Sequence, residues 1–105
     1  MTKTITVLLA DDHQIVRQGV RTFLNALPDI EVVGEAETGE AAVGLAAEYV
    51  PDVVLMDLLM PGMGGVEATR RVKNISPRTQ VVVLTSYHQD EYIFPALQAG
   101  AISYV

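Results

Sequence analysis

Asp11, Asp12 and Asp57 stand where apolar runs stop, and carboxylates so placed are candidates for chemistry. Ile5 to Ala10 (ITVLLA) runs into Asp11-Asp12, and Val53 to Met56 (VVLM) runs into Asp57, followed by the Pro- and Gly-rich loop LLMPGMGG. Continuous apolar runs of this length read as strands buried on both faces, as in a parallel sheet. In open α/β sheets the ligand crevice lies at the carboxyl ends of such strands. Carboxylates gathered there repel: two unit charges ~4 Å apart cost on the order of 4 kcal/mol at an effective dielectric of ~20. Such a site requires a cation, and oxygen ligands with no Cys and no apposed His favour Mg²⁺, which keeps waters and shares its shell with phosphate. The alternative is a set of solvated loop acids or helix caps, roles in which Asp is common.

The elements that must position these residues alternate between strand and helix patterns, which points to βαβ units. His13 to Leu27 carries Ile15, Val16, Val20, Phe23, Leu24 and Leu27 on one helical stripe, with Arg17, Gln18, Arg21 and Asn25 opposite. Ile30 to Ala36 (IEVVGEA) is more polar and contains a Gly, which suits an edge strand. Thr38 to Tyr49 is an Ala-rich helix, amphipathic through Ala41, Ala42, Leu45, Ala46 and Tyr49 and closed by Pro51. After the Gly-rich loop, Val66, Thr69, Val72 and Ile75 line a third helix, with Gly64 or Gly65 as its N-cap. Gln80 to Leu84 (QVVVL) is another apolar strand, with Thr85-Ser86 at its carboxyl end. Asp90 to Ala99 is a fourth helix, buried through Ile93, Ala96 and Leu97 and ended by Gly100, and Ala101 to Val105 (AISYV) begins a fifth strand.

The three buried runs belong in the middle of the sheet and the two more mixed strands at its edges. The expected fold is therefore α/β, a doubly wound five-stranded parallel sheet of order 2-1-3-4-5, flavodoxin- or receiver-like. Right-handed crossovers put the first helix on one face and the other three opposite. One face is then half covered, so a final helix is expected to be missing and residues 1–105 to form a C-terminally incomplete domain. The first and third strands are neighbours at the switch point. Asp11, Asp12 and Asp57 are thus expected in one crevice, with Thr85 beside them.

Half of the 105 residues are apolar, which suits one domain, because a chain of this size buries about two-thirds of its unfolded surface. The absence of Cys excludes a disulfide framework and thiolate metal sites. No stretch approaches the roughly 18 apolar residues of a membrane span, and MTKTITVLLADD lacks a signal peptide's cleavage site. No membrane partner and a cytoplasmic location are therefore expected. The net charge of -6 argues against nucleic-acid binding by this segment, since phosphate attraction needs a basic patch.

Together, the Asp11-Asp12 pair, the DLLMPGMGG stretch from Asp57, Thr85-Ser86 and Tyr104 resemble the receiver domain of bacterial two-component response regulators, over essentially the whole chain. LLADDHQIVRQGV, EVVGEAETGEAAV and LQAGAISYV are similar to the NarL/LuxR type, in which a helix-turn-helix DNA-binding domain follows the receiver. The resemblance implies that Asp57 is the phosphoacceptor, taking a phosphoryl group from the phosphohistidine of a sensor histidine kinase. It implies Mg²⁺ ligated by Asp12 directly, by Asp11 chiefly through water, by one oxygen of Asp57 and by the Leu59 backbone carbonyl. Thr85 would turn its hydroxyl onto the bound phosphoryl group, with the small Ser86 leaving access, and Tyr104 would swing into the vacated space. The implied partners are the kinase, a second copy on phosphorylation, and DNA through an output domain beyond this chain. The domain would be its own phosphoryl acceptor and slow hydrolase, not an enzyme on a separate substrate.

Two departures from the family's pattern stand out. The lysine expected two positions beyond Val105 falls outside the chain, and Gly64 stands where the family often has Asp. Leu59 and Tyr87 occupy positions that in this family flank the path of the hydrolytic water, and their bulk implies slow self-dephosphorylation. Tyr92 and Phe94 fall on the outer side of the fourth helix beside Pro95, which costs ~3 kcal/mol in a helix interior. A partner surface and scattered surface aromatics both suit that arrangement. His13 reads as a capping or solvent residue, and Met56, Met60 and Met63 as packing residues. A flavodoxin-like binder would need a Ser/Thr/Gly phosphate loop where Ala10-Asp11-Asp12-His13 stands, and a Rossmann enzyme would need GxGxxG. An aspartyl phosphatase of D-x-D pattern would need an acid at Leu59. The remaining alternative is a pseudo-receiver that binds partners without phosphorylation.

Overall fold

In the computed structural model, which describes residues 3–84, 90–101 and 103–104, with the backbone alone at 90–94 and 103–104, strands and helices alternate. The strands are β1 (Ile5–Ala10), β2 (Ile30–Ala36), β3 (Val53–Asp57) and β4 (Gln80–Leu84); the helices are α1 (Gln14–Asn25), α2 (Gly39–Tyr49), α3 (Gly65–Ile75) and α4 (Asp90–Ala99). The sheet runs β2-β1-β3-β4, every pair parallel. β1 and β3 pair from Val7 against Val53 to Ala10 against Met56. Both strands therefore end at one level and open on the same edge. Beside β4, Ser103 and Tyr104 pair in parallel with Val82 and Val83, a contact shorter than the strand expected over 101–105.

Two cores form because successive side chains point to opposite faces. Leu8, Ala10, Val54, Met56, Val81 and Val83 pack with Ala42, Ala46, Ala68, Val72 and Ala96, so α2, α3 and α4 share one face. On the other face, Val7 and Leu9 pack with Leu24 and Val20 of α1. Val53, Leu55, Val82 and Leu84 are only half-buried there. At the opposite end of the sheet from the aspartates, Asp52 Oδ2 accepts from Thr6 N at 2.9 Å and Thr6 Oγ1 accepts from Asp52 N at 2.9 Å, which locks β1 to β3.

The helix faces differ from the apolar stripes expected from sequence. On α1, Arg17 is 7% exposed, whereas Ile15 is 83% and Phe23 66% exposed. Arg17 lies on the buried side because polar groups at the end of β2 satisfy it there. Ala41, Tyr49, Ile75 and Leu97 also face solvent. The buried rows instead run through Ala42 and Ala46, Ala68 and Val72, and Ala96 and Ala99. Small residues three or four apart share a helix face, and they let the helix approach the sheet closely.

Candidate functional site

Each of two loops at this edge starts from a pinned strand end. Asp11 N donates to Ala36 O at 3.0 Å, extending the β1–β2 bonding one residue past β1. Asp11 Oδ1 then accepts from His13 N at 2.8 Å, an Asx turn that leads into α1. Asp57 repeats the device, its Oδ1 accepting from Leu59 N at 3.2 Å. Beyond Asp57 the chain doubles back until Gly65 N donates to Leu58 O at 2.9 Å. A Cβ on Gly65 would lie 2.3 Å from Asp57 O, so only glycine permits this approach. Gly64, the N-cap of α3, has φ +79°, a left-handed conformation that glycine adopts without steric cost.

One ligand atom each from Asp11, Asp12, His13 and Asp57 lies within 4.8 Å of the others. Asp11 and Asp57 are each 7% exposed. Asp12 Oδ1 is buried and accepts no hydrogen bond, although His13 Nδ1 stands 3.1 Å away at ion-pair distance. His13 Nδ1 also lies 3.0 Å from Asp11 Oδ1. The hydrogen bond to Asp11, then the charges of Asp12 and Asp11, raise the His13 pKa. His13 is therefore apposed to the acids, which corrects the sequence reading; as the N-cap residue of α1 it makes no side-chain capping bond, and its ring is largely exposed, which agrees with the solvent alternative. Its adjacency to the acid pair was the available signal. Carboxylate oxygens, one of them buried without a hydrogen bond, fit a hard divalent cation, so the cluster could hold a metal.

Leu59 lies beside this cluster and is 45% exposed. Thr85, Ser86 and Tyr87 fall outside the described residues, as do the side chains of Tyr92, Phe94 and Tyr104.

Arg17 is the residue that sequence reasoning placed on the wrong side. Its Nη1 donates to Asp11 O at 2.6 Å, its Nε to Glu35 Oε1 at 3.1 Å and its Nη2 to Glu37 Oε1 at 3.2 Å. Arg21 bonds the other oxygen of Glu35. Burial alone would raise the Glu35 pKa, but the hydrogen bonds from Arg21 and Arg17 outweigh it and hold the carboxyl below its usual range. Three residues beyond Glu35, Thr38 Oγ1 caps α2 by accepting from Ala41 N at 3.1 Å. Glu40 Oε1 then accepts from Met63 N at 3.4 Å. Acids at the end of an edge strand, near an arginine one turn into a helix, are the sequence signal for this network.

The sequence matches the family model of the response regulator receiver domain over residues 7–105. It is 50% identical over 101 residues to the transcriptional regulatory protein LiaR of Bacillus subtilis, covering 96% of this chain and 48% of LiaR. It is 48% identical over 102 residues to the response regulator protein VraR of Staphylococcus aureus, covering 97% of this chain and 49% of VraR. The chain spans about half the length of these curated relatives. Among solved structures, a two-component response regulator of the LuxR family from Aurantimonas sp. SI85-9A1 superposes with a TM-score of 0.89 at 37% identity, covering 97% of this chain and 73% of that one. Among the described residues no helix is long and apolar enough to cross a membrane.

Proposed function

The chain belongs to the response regulator receiver domain family, with relatives of NarL/LuxR type, and from that premise we propose that Asp57 accepts a phosphoryl group from a sensor histidine kinase in a Mg²⁺-dependent reaction. The observation that carries this reading is the meeting of Asp57 with Asp11 and Asp12 at one sheet edge. Asp12, through its buried Oδ1, would hold the metal directly, Asp11 chiefly through water, Asp57 through one oxygen and Leu59 through its carbonyl. Bound there, Mg²⁺ lowers the repulsion between an attacking carboxylate and the phosphoryl oxygens.

The chain's own groups orient the nucleophile. The Leu59 amide on Asp57 Oδ1 gives the carboxylate a set direction, and Gly65 packed on the Asp57 backbone leaves the loop little freedom to drift. Attack forms the carboxyl O–P bond of an acyl phosphate while the P–N bond of the donor's phosphohistidine breaks and its imidazole leaves. Thr85, with Ser86, and Tyr104 are the residues we assign to sensing the phosphoryl group, and Tyr92 and Phe94 to a partner surface on α4. A full fifth strand completes the order 2-1-3-4-5 in this reading. The output is a DNA-binding domain beyond residues 1–105, switched in the cytoplasm by dimerisation on phosphorylation. The domain is then a self-phosphorylating acceptor and not an enzyme on a separate substrate.

Intact mass after incubation with Mg²⁺ and a small-molecule phosphodonor tests the assignment, on this chain extended past Val105 and on its Asp57→Asn variant. A single phosphoryl adduct that needs Mg²⁺ and vanishes in Asp57→Asn is expected. No adduct on the folded, extended protein would favour a phosphorylation-independent pseudo-receiver. The bulk of Leu59 and Tyr87 should exclude the attacking water, so Leu59→Asn with Tyr87→Glu should lose its adduct faster than the parent. A parent that loses it faster would refute the water-exclusion argument.

A further inference from the structure

The β1–β3 ladder ends with Ala10 against Met56, so Asp11, Asp12 and Leu59 stand beyond it and the sheet register alone does not set how far apart their loops sit. We infer that the stretch from the end of β2 into the first turn of α2, residues 35–40, sets that separation, with Arg17 and Glu40 as positioning residues; this rests on the metal site proposed above. One tether is the buried Arg17 guanidinium, which grips the Asp11 carbonyl and is itself held by Glu35 and Glu37. The other tether starts five residues after Glu35. Thr38 caps α2 and orients its first turn. Glu40 in that turn accepts the Met63 amide, and its Oε1 lies 2.8 Å from where a Cβ on Gly62 would be.

Packing supports the second tether. A Cβ on Gly39 would meet Met63 Cβ at 2.9 Å and Gly64 O at 3.0 Å, so the start of α2 lies directly against the loop that follows Asp57. Both aspartate loops are therefore fastened to one short stretch of chain. Mg²⁺ demands near-ideal octahedral geometry, and a shift of one loop against the other moves carboxylates away from it. Neither Arg17 nor Glu40 needs to touch the metal for its loss to weaken binding.

The test is direct binding of Mn²⁺ to this chain extended past Val105, with free Mn²⁺ read by electron paramagnetic resonance and no phosphorylation step. Glu40→Ala and Arg17→Met should each bind on the order of tenfold more weakly. Glu40→Gln keeps an acceptor oxygen for the Met63 amide and should restore parent affinity. Hydrogen exchange at Met63 should quicken in Glu40→Ala and not in Glu40→Gln. Glu67 pairs with Arg70 and Arg71 on its own helix, so Glu67→Ala should bind as the parent does. A folded Glu40→Ala with parent affinity would overturn the inference and leave the functional reading intact. A parent that binds no Mn²⁺ would overturn both. If Arg17→Met does not fold, Glu40→Ala still decides, because Glu40 lies on the surface.

Discussion

The loop after β1 and the loop after β3 begin with the same turn, an aspartate Oδ1 accepting the amide two residues on, at 2.8 Å for Asp11 and 3.2 Å for Asp57. Past that turn they are secured by different physics. The first loop is held by charge: Arg17 reaches from α1 to the Asp11 carbonyl and is neutralised by Glu35 and Glu37. The second is held chiefly by steric fit, with Gly65 pressed on Asp57 and Gly62 and Gly64 at φ +79°. A loop secured by charge should respond to pH and to loss of an ionic partner. A loop secured by close approach should respond to added volume and hardly to pH.

The largest effect should come from adding volume to the second loop. Gly65→Ala puts a Cβ 2.3 Å from Asp57 O, and overpacking of that severity should cost about 3 kcal/mol in urea unfolding. Unchanged stability would show that the loop gives way, and the contrast with the first loop would collapse. Removing the charge clamp with Arg17→Met should cost about 2 kcal/mol, less than a fully buried pair would lose because Glu35 and Glu37 reach solvent.

Acid should separate the two loops more gently. Glu35 has a lower pKa folded than unfolded, so its contribution is complete above the unfolded carboxylate range and is lost as pH falls through the lower, folded value. Urea midpoints measured from neutral pH downward should therefore fall less steeply for Glu35→Gln than for the parent. Equal slopes would mean that the ion pairs with Arg17 and Arg21 contribute nothing to folding.

The smallest effect serves as a control outside both loops. Val50 ends α2 with φ +43°, where a β-branched side chain is strained, and Val50→Gly should gain about 0.5 kcal/mol after glycine's entropic cost. Its phosphorylation and Mn²⁺ binding should match the parent's. A change in either would mean that the far end of α2 also acts on the site.

Much of this arrangement was legible in the chain itself. Ile5 to Ala10 and Val53 to Met56 are apolar without alternation, which identified buried parallel strands, and the aspartates that end them marked the edge where a ligand would sit. The bounds of β1, β4 and α4 match those expected, since a buried run or a Gly stop leaves little choice. Helix faces were less legible: large side chains such as Ile15, Phe23 and Ile75 suggested the stripe, while the residues that meet the sheet include Ala42, Ala46, Ala68 and Arg17. Hydrophobic size is a local property, whereas closeness of approach depends on what the opposite surface allows.

Local sequence thus determined which residues become strands and which acids lie at their ends, because those follow from periodicity and from the backbone preferences of Gly, Pro and Asp. Only the tertiary structure decided that a charged Arg17 would be buried and that residues 35–40 would touch both aspartate loops. Each depends on partners brought together across the sheet. A buried guanidinium is stable only where acceptors from other elements replace its water, and no stretch of chain read alone contains them.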